Sequence, residues 1–185
     1  MSGVALVFFG HSIACSFLIN LVKRVGGGTA DMGYITAFKG LVEIPVMFLY
    51  ARYFKDGRHY LALRFCAICF VLKTLGFLLA SSTLQLSAAF LLQPPSYALY
   101  MSAIVAYAKE NIGFEDSAKA QSIAFTTTTL GGMLASLIGG LLFDRLSVTN
   151  TLFVALGVGI LGAFIMFLTT AKRRNELRSD DHAIQ

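Results

Sequence analysis

Three charged residues stand where the chain is otherwise most apolar. Lys39 and Glu43 are spaced i, i+4 and therefore share one helix face, and Lys73 follows in a second apolar run. A charge at bilayer depth costs at least ~2.5 kcal/mol on insertion scales, so such a residue faces a partner or a cavity. One carboxylate within reach of two ammonium groups makes a buried triad. That triad reads either as a static ion pair or as a substrate or proton site. Gln93, Tyr97 and Tyr100 follow at i, i+4, i+7, so one face offers an amide, two hydroxyls and aromatic surface. This suits a polyhydroxyl or other small polar ligand, and equally suits hydrogen bonding between helices. His11 and Asn20 are further polar candidates, His11 reading more simply as a packed residue. Cys66 and Cys69 form C-x-x-C inside an apolar run and read as small apolar residues on one helix face. No metal-ligating cluster and no cofactor motif accompanies these residues.

The elements that must position them are membrane spans. The 185 residues are 56% hydrophobic and only 14% charged, against about 25% charged in an average soluble domain. The charges are also bunched: residues 1–22, 74–108, 120–143 and 146–171 hold no Asp, Glu, Lys or Arg. Runs of about 18 or more apolar residues without charge are transmembrane candidates. This excludes a soluble enzyme, a disordered chain and a nucleic-acid binder. Six spans are expected, at roughly 4–22, 33–52, 61–80, 85–107, 121–143 and 150–170, with Ser81-Ser82-Thr83 breaking the third from the fourth. Together they predict an all-α integral membrane bundle over residues 1–174. Residues 175–185 make a polar cytoplasmic tail, solvated and disordered from Arg178 onward.

Lys and Arg in the connections set the orientation. With the N-terminus inside, ten fall on the cytoplasmic side and Lys23, Arg24 and Arg145 outside. Both termini are therefore expected in the cytoplasm of a multi-pass plasma-membrane protein, and topology accounts for the net charge of +5. Lys39 and Lys73 then lie at similar depth, with Glu43 about 6 Å deeper.

Pro45, Pro94 and Pro95 all fall within expected spans. Proline removes a backbone donor and kinks the helix, either for packing or to line a pathway. Gly132, Ser136 and Gly140, and likewise Ala155, Gly159 and Ala163, form small-xxx-small faces for close helix approach. Gly26-Gly27-Gly28 has no strand before it and is no phosphate loop.

The connection Tyr50-Ala51-Arg52-Tyr53-Phe54-Lys55-Asp56-Gly57-Arg58-His59 resembles the loop motif G-x-x-x-D-[RK]-x-G-R-[RK] of the major facilitator superfamily. Lys55, Gly57 and Arg58 match; Tyr50 and Phe54 replace the Gly and Asp. Gly33-Tyr34-Ile35-Thr36 through Glu43-Ile44-Pro45-Val46-Met47-Phe48, then Lys73-Thr74-Leu75-Gly76, is similar to the C-terminal half of lactose-permease-like sugar:proton symporters. Ala118-Lys119-Ala120-Gln121-Ser122 and Gly139-Gly140-Leu141-Leu142-Phe143-Asp144 extend the likeness to about residue 174. The resemblance implies one six-helix bundle built from inverted three-helix repeats, with a second bundle as partner, either a missing N-terminal half or another copy. Substrate would bind at the midplane between bundles as access alternates. Lys73 falls where those symporters carry a functional arginine. Their glutamate on the second helix aligns with Gly40, three residues before Glu43, and their proton-carrying histidine and glutamate on the fourth align with Phe90 and Gln93. The resemblance then leaves three readings: Glu43 as a substitute titrating group, coupling carried by the missing half, or no proton coupling.

The expected function is a secondary active transporter half moving a small polar solute, such as a sugar or glycoside, with proton coupling. A six-span enzyme of lipid metabolism needs clustered acidic motifs such as D-G-x-x-A-R, and Asp56-Gly57 continues into Arg58-His59-Tyr60. A non-transporting scaffold has no use for buried charges. The topology is checked with alkaline phosphatase fusions, which are active only when exported. Fusions after Gly57 and Arg178 are expected to be inactive and one after Gly27 active; the reverse pattern refutes the orientation.

Overall fold

The computed structural model describes residues 2–53, 59–101, 103–104 and 117–183, and among these no strand occurs. Apolar runs without water must satisfy their backbone within the segment, which leaves the helix as the available form. In chain order the helices are α1 (Ser2–Ser16), α2 (Leu18–Arg24), α3 (Thr29–Tyr53), α4 (His59–Leu79), α5 (Thr83–Ala89), α6 (Ser117–Arg145) and α7 (Val148–Ala183). Beyond α5 a 3₁₀ turn (Phe90–Leu92) and a π turn (Pro94–Ala98) lead back to helical backbone at residues 99–101 and 103–104.

Among the described residues three helices are long and apolar enough to cross a membrane: Leu61–Leu79, Gln121–Arg145 and Val148–Thr169. The pair Ala5–Ser16 and Leu18–Arg24, bent by 57°, makes a fourth if it counts as one span. The other two expected spans differ for visible reasons. Asp31, Lys39 and Glu43 lower the hydropathy of α3, and the fourth expected span is interrupted at its two prolines. The break at Phe17 has no proline or glycine to announce it. Phe17 leaves the helix at φ −111°, ψ 38°, and its ring packs 4.8 Å from Phe143. The tail, expected to be disordered from Arg178 onward, continues α7 as helix to Ala183. The loop residues Lys55, Gly57 and Arg58 lie outside the described residues.

Turn chemistry fixes the ends. Gly26 takes φ +81° after α2, and Gly27 N–H donates to the Val22 carbonyl at 2.9 Å, closing the helix. Ser82 caps α5, its hydroxyl accepting from the Gln85 amide at 3.3 Å. The Arg24 guanidinium donates to the Phe77 carbonyl and, at 3.0 Å, to that of Ala80, so α2 satisfies carbonyls freed at the end of α4.

α1 is the centre of the bundle. α6 and α7 follow one another in sequence but each packs chiefly on α1. The small-residue stripes therefore meet a partner other than each other. Gly132 faces Phe8 and Ser12, Ser136 Oγ lies 3.4 Å from Ser16 Oγ, and Gly140 faces Phe17. On α7, Ala155 and Gly159 receive Gly10: a Cβ there would stand 2.8 Å from the Ala155 carbonyl oxygen and 3.1 Å from Gly159 N. Ala163 packs against the apolar cluster around Val7 and Met166. A Cβ on Gly162 would stand 2.6 Å from Val7 N. Backbone thus approaches backbone, which only glycine permits.

Overpacking a close crossing costs about 1–3 kcal/mol. Gly10→Leu and Gly162→Leu are accordingly expected to lower the melting temperature in detergent. Gly157→Leu, at an exposed position with open space around it, should leave it within error.

Candidate functional site

Two apolar cores divide the bundle along its length. One joins Val7 and Phe8 of α1, Cys66 and Phe70 of α4, and Leu99 and Tyr100 beyond α5. The other joins Ala14 and Leu18, Phe77 and Ala80, and Leu86 and Phe90. Between them the same three strands of chain each contribute polar side chains: His11, Lys73, and Gln93 with Ser96. The result is a polar layer sealed above and below by hydrocarbon.

Lys73 is its centre, with none of its surface exposed. Its ammonium donates to His11 Nδ1 at 2.9 Å, to Gln93 Oε1 at 2.5 Å and to Ser96 Oγ at 3.3 Å. The Phe70 ring lies 4.9 Å beneath it, a cation–π contact. Ser96 in turn donates to the Gln93 carbonyl at 3.0 Å. The two prolines create this arrangement. Pro94 cannot donate to the Phe90 carbonyl, and Gln93 N–H takes that acceptor in a tighter turn. The next turn widens, with Leu99 N–H reaching the Pro94 carbonyl. Gln93 and Ser96 are thereby both aimed at Lys73.

His11 is enclosed by rings. Phe8, Phe70 and Tyr97 stand 5.8, 4.7 and 5.8 Å from it, and Phe8 stacks on Tyr100 at 5.4 Å. With Lys73 donating to Nδ1, the Cys15 thiol, 3.4 Å from the same nitrogen, is a second donor to it.

The expected salt-bridged triad does not form. Among the described residues no ion pair joins Lys39, Glu43 and Lys73, and one Glu43 oxygen is buried without a hydrogen-bond partner. The phase of α3 decides this: it packs on α2 and on the 3₁₀ and π turns beyond α5 rather than on α4. Gln93, Tyr97 and Tyr100 do share an inward face, but Gln93 is occupied by Lys73, and the buried Tyr100 hydroxyl has no partner. Asn20 lies apart, in a shallow cleft with Lys23, Arg24 and Ser147. Cys66 and Cys69 are buried free thiols of α4.

Ser96 and Cys15 were not legible as site residues. Ser96 carried one signal, its position directly after Pro94-Pro95, where a hydroxyl can serve a backbone that lacks donors. Cys15 carried its i+4 spacing from His11.

Hydrogen bonds to a charged group contribute about 1.5–3 kcal/mol. Gln93→Leu is expected to destabilise the protein by that order. In the Lys73→Met background the same change should cost much less, which a double-mutant thermal unfolding cycle reads directly. Additive losses would show that the pair does not interact.

Comparison with curated proteins returns no match. The sequence does match the profile of the Major Facilitator Superfamily, over residues 1–183. Members of that family are multi-pass membrane transporters, not enzymes. The apolar helices and the match over nearly the whole length agree, and the chain belongs to the Major Facilitator Superfamily.

Proposed function

We propose that the chain forms one six-span bundle, equivalent to the C-terminal half, of a proton-coupled secondary transporter for a small polar solute of the sugar or glycoside class. It works by alternating access against a second bundle, with both termini in the cytoplasm and the spans in the plasma membrane. The observation that carries this reading is the polar layer, a fully enclosed ammonium on neutral partners, in a bundle that also buries a Glu43 oxygen without a hydrogen-bond partner.

Such a layer is costly in hydrocarbon and idle in a passive scaffold. Ionised Glu43 attracts the Lys73 ammonium, which His11, Gln93 and Ser96 hold in place. Protonation of Glu43 removes that attraction. The layer thus has two electrostatic states, separated by one proton on one carboxylate, and a rocking bundle can be biased by that difference. Tyr97, half-buried beside His11, supplies a ring and a hydroxyl for the solute. Lys39, on the same face as Glu43, completes the charged set.

The test uses proteoliposomes that hold the chain with its partner bundle, lactose and a β-galactoside panel as solutes, and an entrapped pH dye. Glu43→Gln and Lys73→Ala should each cut solute uptake by at least about tenfold, roughly 1.4 kcal/mol, while membrane insertion is unchanged. Normal uptake by both variants refutes the site. Solute flux that ignores the pH gradient refutes the coupling while leaving the transporter reading intact.

A further inference from the structure

The polar layer holds a charge that nothing in it answers. Lys73 donates to His11, Gln93 and Ser96, which are all neutral, and no carboxylate joins them among the described residues. On α3, Lys39 and Glu43 offset one another by count, which leaves the Lys73 ammonium without a counter-ion. A buried charge is ordinarily paired, and one kept at membrane depth ordinarily serves a pathway or a ligand. The ligand that completes this layer is therefore an anion.

The hydrogen bonds fix where it would be met. An ammonium has three protons and no acceptor, and here all three protons are taken. Its contact with His11 makes Nδ1 an acceptor, so the neutral imidazole carries its proton on Nε2. The Cys15 thiol meets the same Nδ1. Nε2 has no hydrogen-bond partner among the described residues, and it is not among the polar atoms sealed from the surface. His11 keeps 6% of its surface open, whereas Lys73 and Ser96 keep none. The layer thus opens at His11, beside half-buried Tyr97, whose ring lies 5.8 Å away and offers stacking surface for the body of a solute. A carboxylate on Nε2 would stand about 8 Å from the ammonium, across two hydrogen bonds and the width of the ring. At an effective dielectric constant of about 20, that attraction favours a carboxylate over a neutral isostere by roughly thirtyfold before its desolvation is counted.

We propose that the solute carries a carboxylate, a uronic acid or its glycoside rather than a neutral sugar, and that His11 Nε2–H binds that carboxylate with Lys73 as its counter-ion. This rests on the transporter reading of the same layer and narrows its solute class. His11 touches the solute, and Lys73 acts through the imidazole ring.

Isothermal titration of nanodiscs that hold the chain with its partner bundle tests this, with D-glucuronate, D-glucuronamide and D-glucose as probes. The three differ at one carbon, and the amide is the neutral isostere of the acid. D-Glucuronate is expected to bind at least about tenfold more tightly than either of the others. Lys73→Gln keeps a hydrogen-bond donor and removes the charge, and should bring acid and amide to within about twofold. A purely structural role for Lys73 would weaken both alike and leave their ratio unchanged. If Lys73→Gln fails to fold, His11→Phe, which keeps a ring and removes the N–H, decides by the same ratio. Equal binding of acid and amide, tighter binding of D-glucose, or an acid preference that survives these variants overturns the inference. Uptake of neutral sugars with no preference for the acid leaves the transporter reading standing without it. Binding of D-glucuronate with no uptake supports the anion site and retires the transporter reading.

Discussion

An ammonium group cannot be left bare in hydrocarbon, and the interior of this bundle is arranged around that constraint. Lys73 reaches water nowhere, so every hydrogen bond it makes comes from the protein. The three acceptors come from two other parts of the chain, 62, 20 and 23 residues away in sequence. Meeting that demand sets the height of α1 against α4, because His11 must stand level with Lys73. It also sets the path of the chain beyond α5, which must bring an amide and a hydroxyl to the same height. Two apolar cores then fill the space on either side. Since all three acceptors are neutral groups, the charge is solvated but not neutralised. The layer therefore responds to any carboxylate brought near it.

The cost of the layer falls on the backbone that follows α5. Two adjacent prolines remove two donors from the middle of an apolar helix, a loss that lipid cannot repair. Here the chain repairs it locally, first by tightening the helix and then by widening it, while Ser96 gives its proton to the Gln93 carbonyl. Ser96 thus accepts from Lys73 and donates to the backbone, so breaking the helix and binding the cation are one structural event. The glycines of α1 and α7 serve the opposite purpose. They remove side chains so that two backbones touch, which holds the scaffold while the polar layer carries the charge.

Much of this was legible from residue types alone. The gaps between charges mark the apolar segments, Ser81-Ser82-Thr83 marks the turn before α5, and Lys73 stands out because the hydrocarbon around it has no use for a charge. The partners of Lys73 were not legible. Lys39 and Glu43 are matched by spacing, but whether their face meets Lys73 depends on the phase of α3 against α5, and no local pattern encodes that. His11 looked like a packed residue because its contact with Lys73 is with a residue 62 positions away. The small-residue stripes were visible on α6 and α7, but their partner was not. α1 meets them with Gly3 and Gly10, seven residues apart, and with aromatic rings rather than with a matching stripe. The bend at Phe17 was hidden for a similar reason, since it comes from ring packing on Phe143 and not from a helix-breaking residue.

The dependence of α1 on α6 and α7 also bears on biosynthesis. Ala155 leaves the ribosome 145 residues after Gly10, which it must touch. At about 5–20 residues per second that interval is on the order of ten seconds. Throughout it, α1 is already made but lacks the surface it is shaped for, and His11 has only α4 and α5 to meet. The central helix of the bundle is therefore the one that waits longest for its neighbours. All three members of the His11–Lys73–Gln93 contact are made before the glycine crossings can close.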